Sequence, residues 1–181
     1  MRNLKRALSL ALASVMLLGM MVVGTSAASY ADVSSKNNLE AIEVLKLVGV
    51  MTGDDKGNFN PAKAVTRNEM AVIMCKLLDL NTKDYAGSCP FTDVPAGSYY
   101  EDAVIWAVEK GITTGTDATH FSPDGICTRA QIVTFLWRAN GSPVVSGNSA
   151  FTDVAADAYY AAAVTWAEKN GVTGGIGGGL F

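Results

Sequence analysis

A repeat of about 60 residues runs through most of this chain and constrains its fold more than any other feature. Residues 91–94 read Phe-Thr-Asp-Val, residues 151–154 repeat them, and residues 30–33 (Tyr-Ala-Asp-Val) are a weaker copy. Each copy leads into a helical pattern that ends at a glycine, and a phenylalanine stands ten residues beyond each glycine. Because these anchors recur in the same order, the sequence predicts repeated units that share a core.

Two of the copies predict a second helix, which follows the loop that begins at the glycine and contains the phenylalanine. Residues 66–69 read Thr-Arg-Asn-Glu and residues 128–131 read Thr-Arg-Ala-Gln, which is the form of a capping box at a helix start. Apolar residues then recur at the spacing i, i+3, i+4 and i+7 that gives a helix one buried face. Residues 98–101 (Ser-Tyr-Tyr-Glu) also have capping-box form, so we expect them to start the first helix of the second repeat.

The first 28 residues predict an export signal. Arg2, Lys5 and Arg6 precede an apolar run over residues 7–23, and the small residues that end at Ala28 suit a signal peptidase. The alternative is an uncleaved membrane anchor, which a run of this length fits poorly. We therefore expect an exported protein that has no membrane contact after the signal is cleaved.

Beyond the signal, we predict a mainly α fold built from tandem helix-loop-helix repeats. The repeats are placed at residues 30–90, 91–150 and 151–181, and the third is truncated after its first half. The signal holds three of the 14 Lys and Arg residues and none of the 17 Asp and Glu residues, so the remainder is more acidic than the net charge of −3 suggests. An acidic chain argues against nucleic acid as a partner.

Chemically reactive side chains are scarce. The three cysteines, Cys75, Cys89 and Cys127, form no CxxC pair, and His120 is the single histidine. These residues predict neither a metal site nor a cofactor. The sequence contains no GxSxG and no HExxH motif, so we do not expect this chain to be an enzyme.

Arg67 and Arg129 are the clearest candidates for ligand binding. Each falls in the first turn of a predicted helix, where a positive charge is unfavourable against the helix dipole. An arginine beside unbonded N–H groups at a helix start can hold a carboxylate or a phosphate. The alternative is an ion pair with an aspartate of the same repeat, and the sequence does not decide between the two. Trp106 and Trp166 occupy equivalent positions and suit either a sugar or the core.

Taken together, these motifs resemble the S-layer homology (SLH) domain. The resemblance rests on Phe-Thr-Asp-Val, the Tyr-Tyr and Trp that follow it, Gly-Ile-Thr-Thr-Gly, Phe-Ser-Pro and Thr-Arg-Ala-Gln, and it covers residues 30–181. It implies a pseudo-threefold bundle of repeats that anchors an exported protein non-covalently at the cell wall or cell surface. The implied partner is a secondary cell-wall polymer, often an acidic pyruvylated polysaccharide, or peptidoglycan.

The resemblance also implies which residues contact that ligand. They are Arg67 and Arg129, which match the arginine of the family's Thr-Arg-Ala-Glu motif, together with Gly53, Gly115, Trp106 and Trp166. Leu45 stands where the other copies have tryptophan, so we expect a weaker groove in the first repeat. Two alternatives stay open, namely the anchoring portion of a longer exported enzyme such as a wall hydrolase, or of an S-layer lattice protein.

Overall fold

The computed structural model describes residues 30–33, 38–78, 80–85 and 87–181, and the predicted export signal lies outside these ranges. The described ranges contain five α-helices and one 3₁₀ turn, Thr82–Tyr85. The helices are α1 (Leu39–Leu47), α2 (Arg67–Leu77), α3 (Glu101–Glu109), α4 (Arg129–Ala139) and α5 (Ala161–Lys169). Pairing between extended residues in the described part is limited to two isolated bridges, Thr66–Ile126 and Gly177–Leu180. The prediction of a mainly α repeat fold is confirmed.

The chain divides into two compact units. One contains the described residues up to Ala64 together with Val72–Asn81, and the other contains Val65–Ala71 and Thr82–Phe181. The division cuts through α2, so it does not follow the predicted repeats. The repeat boundaries and the pseudo-threefold arrangement therefore stay predictions. Among the described residues, no helix combines the length and the apolar character that a membrane span requires.

The first unit has a small core beneath its loop. Tyr30, Val33 and Ile42 are buried, and Leu39 and Phe59 pack against them. The ring centroids of Tyr30 and Phe59 lie 5.5 Å apart. This pairing brings the loop back onto the tetrapeptide motif of the first repeat.

The core of the second unit is built around α4 and α5. Val133 of α4 packs with Phe151 and with three buried residues of α5, namely Ala163, Val164 and Ala167. Trp137 and Phe181 pack against the edge of this cluster. Residues 103–107 of α3 are buried as well, and α3 contacts the 3₁₀ turn. Of the α4 residues at the i, i+3, i+4 and i+7 spacing (Ile132, Phe135, Leu136 and Ala139) only Phe135 is buried, so the apolar spacing does not mark the face that meets α5.

A glycine ends the first helix of each repeat, as the sequence predicts. Gly49, Gly111 and Gly171 have φ values of 72°, 66° and 68°. The N–H of the next residue donates to a carbonyl five residues earlier, which closes a Schellman motif. The pairs are Val50 to Leu45 at 2.9 Å, Ile112 to Ala107 at 2.8 Å and Val172 to Ala167 at 2.8 Å. Glycine takes this left-handed conformation without steric cost.

The start of α4 has the predicted capping box. The hydroxyl of Thr128 accepts the N–H of Gln131 at 3.2 Å, and the Gln131 side chain accepts the N–H of Thr128 at 3.0 Å. At α2 the N–H of Thr66 donates to the Glu69 carboxylate at 2.9 Å, and the return bond is longer, at 3.5 Å. Both Thr-Arg motifs therefore start a helix, as predicted.

The capping box expected at Ser98 is wrong. Helix α3 starts at Glu101, and Tyr100 stands at the N-cap position without a side-chain capping bond. Residues 98–101 form a turn in which the N–H of Glu101 donates to the carbonyl of Ser98 at 3.1 Å. This turn places Ser98 before the helix, and its buried Oγ has no hydrogen-bond partner. The Glu101 carboxylate instead accepts the N–H of Gly97 at 2.6 Å.

Candidate ligand-binding site at the Thr-Arg helix starts

The aspartate of each four-residue motif holds a loop 27 to 29 residues further along the chain. The Asp93 carboxylate accepts the N–H groups of Phe121 and Ser122, both at 2.8 Å. Asp153 accepts the N–H of Phe181 at 2.9 Å. In the first unit, Asp32 accepts Phe59 at 2.8 Å and Asn60 at 2.6 Å. Three copies of one contact fix the position of the phenylalanine in each loop.

Gly53 and Gly115 shape these loops from within. Gly115 has a φ of 84°, and a Cβ on it would lie 2.5 Å from the carbonyl oxygen of His120 and 2.6 Å from the ring of Phe91. A Cβ on Gly53 would lie 2.5 Å from the carbonyl oxygen of Asn58. Both glycines therefore allow a close approach of loop and ring. Their implied ligand contacts stay predictions.

Arg67 belongs to the first repeat by sequence and contacts the loop of the second repeat. Its Nε donates to the carbonyl of Phe121 at 2.7 Å. Its guanidinium carbon lies 4.7 Å from the ring centroid of Phe121 and 5.7 Å from that of Phe135. The residue is 4 % exposed, and its Nη2 is buried without a hydrogen-bond partner. Arg67 thus combines one hydrogen bond and two ring contacts with one buried donor, Nη2, that has no partner.

Arg129 makes the equivalent contacts one repeat later. Its Nε donates to the backbone oxygen of Phe181 at 2.9 Å, and its guanidinium carbon lies 5.1 Å from the ring of Phe181. Its Nη2 also donates to the hydroxyl of Thr173 at 3.3 Å. Unlike Arg67, this residue is exposed. Sequence reasoning missed Thr173, although its place two residues after Gly171 in the repeat is visible.

The alternative of an ion pair within the repeat is not what the described residues form. Neither Arg67 nor Arg129 has an Asp or Glu carboxylate within ion-pair distance among them. Burial lowers the pKa of the Arg67 guanidinium, while Cys127, Tyr159 and Asp93 oppose that shift. The guanidinium of an arginine stays protonated in proteins.

The free N–H groups expected at the start of α2 are occupied, which corrects that part of the sequence argument. The N–H of Arg67 donates to the carbonyl of Gly125 at 2.9 Å, and that of Asn68 donates to Pro123 at 3.0 Å. The bridge between Thr66 and Ile126 brings this loop across the helix end. At α4, no acceptor for the N–H groups of Arg129 and Ala130 lies among the described residues. The two helix starts therefore differ in what they can offer an anion.

The two tryptophans lie in or beside the core. Trp106 is 2 % exposed, and Trp166 is partly buried against the cluster between α4 and α5. Burial favours the core interpretation for Trp106, and the implied ligand contacts of both stay predictions. The exposed aromatic rings are Tyr99 and Tyr159, which pack edge-on against their neighbours Tyr100 and Tyr160 at 5.1 and 5.0 Å.

Metal-ligating side chains do not converge in the part of the chain that the structure describes. No group of three His, Cys, Asp or Glu residues there could hold a metal ion. Cys75, Cys89 and Cys127 form no disulfide among the described residues, and burial raises the pKa of both Cys89 and Cys127. The site therefore consists of arginine, backbone and aromatic groups.

Comparison with known proteins identifies relatives over the same segments. A sequence model of the S-layer homology domain matches residues 29–71, 90–133 and 150–181, which is more than half of the chain. The Surface-layer 125 kDa protein of Lysinibacillus sphaericus is 40 % identical over 97 residues, which cover 54 % of this chain and 8 % of that protein.

Two further relatives have names that describe enzymes. Exoglucanase XynX of Acetivibrio thermocellus is 30 % identical over 111 residues, covering 61 % of this chain and 10 % of that protein. An uncharacterized cell wall amidase of Bacillus anthracis is 32 % identical over 123 residues, covering 67 % of this chain and 23 % of that protein. The chain thus spans less than a quarter of the length of each of the three.

Proposed function

We propose that this chain, which belongs to the S-layer homology domain family, binds a cell-wall polymer. Members of this family are secreted or cell-surface proteins, and their S-layer homology domains anchor them to the cell surface. The ligand in this proposal is either an acidic polysaccharide of the wall, such as a pyruvylated one, or peptidoglycan. Both carry carboxylates, and a guanidinium recognises a carboxylate through two parallel hydrogen bonds. Because the chain carries a net negative charge, we attribute recognition of an anionic polymer to a few arginines at defined positions.

Arg129 is the principal anion contact in this proposal. The observation that supports it is an exposed guanidinium held in one orientation by the Phe181 backbone oxygen and the Thr173 hydroxyl. An arginine has five N–H donors, and these two bonds leave three of them for a ligand. A group that is already oriented loses less conformational entropy on binding. The start of α4 adds a favourable dipole for a negative charge.

Arg67 takes a second role in the same proposal. Its Nε bond and ring contacts match those of Arg129, but it is 4 % exposed. The free donor Nη2 can reach an anion only where the surrounding loop opens. We therefore expect Arg67 to contribute less to binding and more to stability than Arg129.

The proposal extends to the longer proteins in which such a domain occurs. The S-layer homology domain is an anchoring domain and not a catalytic one. Among the relatives, the exoglucanase and the amidase match over a small share of their own lengths, as does the surface-layer protein. The second candidate is therefore that this chain is the anchoring portion of a longer exported enzyme or of an S-layer protein.

Sedimentation with purified cell-wall sacculi tests the binding. We expect the chain to pellet with sacculi and Arg129→Ala to bind about tenfold more weakly or worse, as for loss of a hydrogen bond to a charged group. Arg138→Ala is the matched control, because it removes the same charge from the other end of α4. Retention of Arg129→Ala equal to that of the unmodified chain would contradict the proposed site.

Sacculi stripped of their acidic polymer separate the two ligand classes. If the acidic polymer is the ligand, stripping abolishes binding, and the isolated polymer competes with untreated sacculi. If peptidoglycan is the ligand, stripped sacculi retain the chain. Failure of the unmodified chain to bind either preparation would contradict the proposed function.

A further inference from the structure

Arg67 and Asp93 bind opposite sides of one peptide unit, the one between Phe121 and Ser122. Arg67 Nε donates to the Phe121 carbonyl at 2.7 Å, and the N–H of Ser122 donates to Asp93 at 2.8 Å. In a trans peptide the C=O and the N–H point in opposite directions within one plane. The carboxylate on one side therefore aims the carbonyl on the other side at the arginine.

The backbone conformation of Ser122 is strained and needs support from its surroundings. Ser122 is a non-glycine residue with a φ of 57°, and Pro123 follows it, a position that favours extended backbone. Residues persist in such strained conformations only where their surroundings hold them. The Asp93 bond and the contact between the hydroxyls of Ser122 and Thr116 at 2.8 Å supply that hold.

We propose that Asp93 is a positioning residue for Arg67, acting through the peptide between Phe121 and Ser122. A carboxylate on the N–H polarises that peptide and makes its carbonyl a stronger acceptor for Nε. Asp93 itself makes no ion pair with Arg67 among the described residues. Loss of the Asp93 contact releases the Phe121 carbonyl, and the guanidinium loses its orientation between the rings of Phe121 and Phe135.

The state of Asp93 supports this role. Burial acts to raise the pKa of Asp93, but the N–H groups of Phe121 and Ser122 and the charge of His120 outweigh it, so the pKa lies below its usual value. The acceptor is therefore charged at neutral pH. Asp153 supplies a control that lacks this path, because it accepts the N–H of Phe181, whereas Arg129 binds the backbone oxygen of Phe181, which is not part of the same peptide unit.

The test follows the Nε–Hε signals of the arginines by ¹⁵N-edited NMR of the full chain. Arg67→Lys removes one signal and so assigns it. We expect Asp93→Asn to shift the Arg67 signal and to increase its solvent exchange about tenfold or more, because Phe121 and Ser122 bond different carboxylate oxygens and asparagine replaces one of those oxygens by an NH₂ donor. The Arg129 signal stays unchanged in Asp93→Asn, and the Arg67 signal stays unchanged in Asp153→Asn.

Two results would overturn the positioning role. One is an Arg67 signal that is unchanged in Asp93→Asn. The other is an equal change of both arginine signals in each variant, which is the mark of general destabilisation.

The consequence for binding rests on the proposed function and is measured separately. In sacculus sedimentation, we expect Asp93→Asn to weaken binding in the unmodified chain and to cause no further loss in an Arg67→Ala background, because the two residues act as one unit. Additive losses would overturn a role through Arg67. If the unmodified chain fails to bind, the proposed function is wrong, and the NMR result alone then decides the positioning role.

Discussion

The loops of the second and third repeats are held by the same hydrogen bonds. Thr92 donates its N–H to the carbonyl of Thr119 at 2.9 Å, and Thr152 donates to Gly179 at the same distance. Within the loops, the N–H of Thr116 donates to His120 at 2.8 Å, and that of Ile176 donates to Leu180 at 2.9 Å. The phenylalanine pairs have nearly equal ring separations, 5.8 Å for Phe91–Phe121 and 5.7 Å for Phe151–Phe181.

The same two loops differ in how far they are covered. Ile112 is 2 % exposed, whereas its equivalent Val172 is 46 % exposed. Arg67, which contacts the loop of the second repeat, is buried, and Arg129, which contacts the loop of the third, is exposed. The conserved geometry of the motif therefore does not determine the accessibility of the residues around it.

The second helix of the second repeat, α4, accounts for part of the difference, because the described residues 151–181 of the third repeat contain one helix, α5. Arg138, near the end of α4, donates its Nη1 to the carbonyl of Ile112 at 3.0 Å. The carbonyls of Pro123 and Gly125 cap the start of α2 and bury Arg67 beside it. The comparison teaches that short motifs specify each loop, while contacts between repeats decide which arginine a ligand can reach.

The largest expected effect is common to both loops. Gly115→Ala and Gly175→Ala each place a Cβ 2.6 Å from an aromatic ring at a positive φ, so each should lower the free energy of unfolding by about 3 kcal/mol or more. Gly111→Ala is the control, because its Cβ would meet nothing within 4 Å, and it should cost about 1–2 kcal/mol. Urea unfolding measures all three. A tolerated Gly175→Ala would contradict equal loop geometry.

The next effect separates the two repeats. Ile112→Ala removes a buried side chain and should cost about 2–4 kcal/mol, whereas Val172→Ala should cost less than about 1 kcal/mol. Thermal and urea unfolding of the two variants give the comparison directly. Equal losses would mean that Val172 is as well covered as Ile112, which would remove the difference between the repeats.

The smallest effect concerns the loop of the second repeat alone. His120 lies 3.0 Å from Asp117, and the hydrogen bond and the charge of that carboxylate raise the pKa of His120 above 6.5. The N–H of Thr119 and the His120 side chain lower the pKa of Asp117 to about 2. The contribution of charged His120 to the stability of the fold is thus lost as the pH rises through its raised pKa. The contribution of charged Asp117 is lost as the pH falls toward about 2.

An NMR titration checks this pair, since His120 is the single histidine of the chain. We expect a midpoint above 6.5 that returns toward 6.5 in Asp117→Asn. Asp124→Asn, at another exposed carboxylate of the same segment, should leave the midpoint in place. A midpoint that does not respond to Asp117→Asn would contradict the contact.

Contacts between neighbours in sequence were predictable. The glycine helix ends and the Thr128 capping box depend on bonds that span three to five residues, and the spacing of the motifs reveals them. The mainly α class follows from the same local signals. The turn at Ser98 was not predicted, because the capping pattern does not distinguish a helix start from a turn just before it.

Contacts between distant residues were not predictable. Arg67 and Phe121 are 54 residues apart, and no local pattern in the sequence indicates which loop an arginine meets. The burial of Trp106 agrees with the core interpretation that the sequence allowed, but residues 103–107 of α3 are all buried, so no polar face orients that helix. Arginine, tryptophan and glycine were thus recognised by type, while their surroundings came only from tertiary structure.

The central claim is that one motif holds two arginines in the same way and that packing gives them different roles. The most direct test compares the free energy of unfolding of Arg67→Ala and Arg129→Ala. Arg67→Ala should cost about 2–3 kcal/mol, since it leaves the Phe121 carbonyl unpaired and removes a buried ring contact, and Arg129→Ala should cost less than about 1 kcal/mol. Equal costs for the two variants would contradict the account.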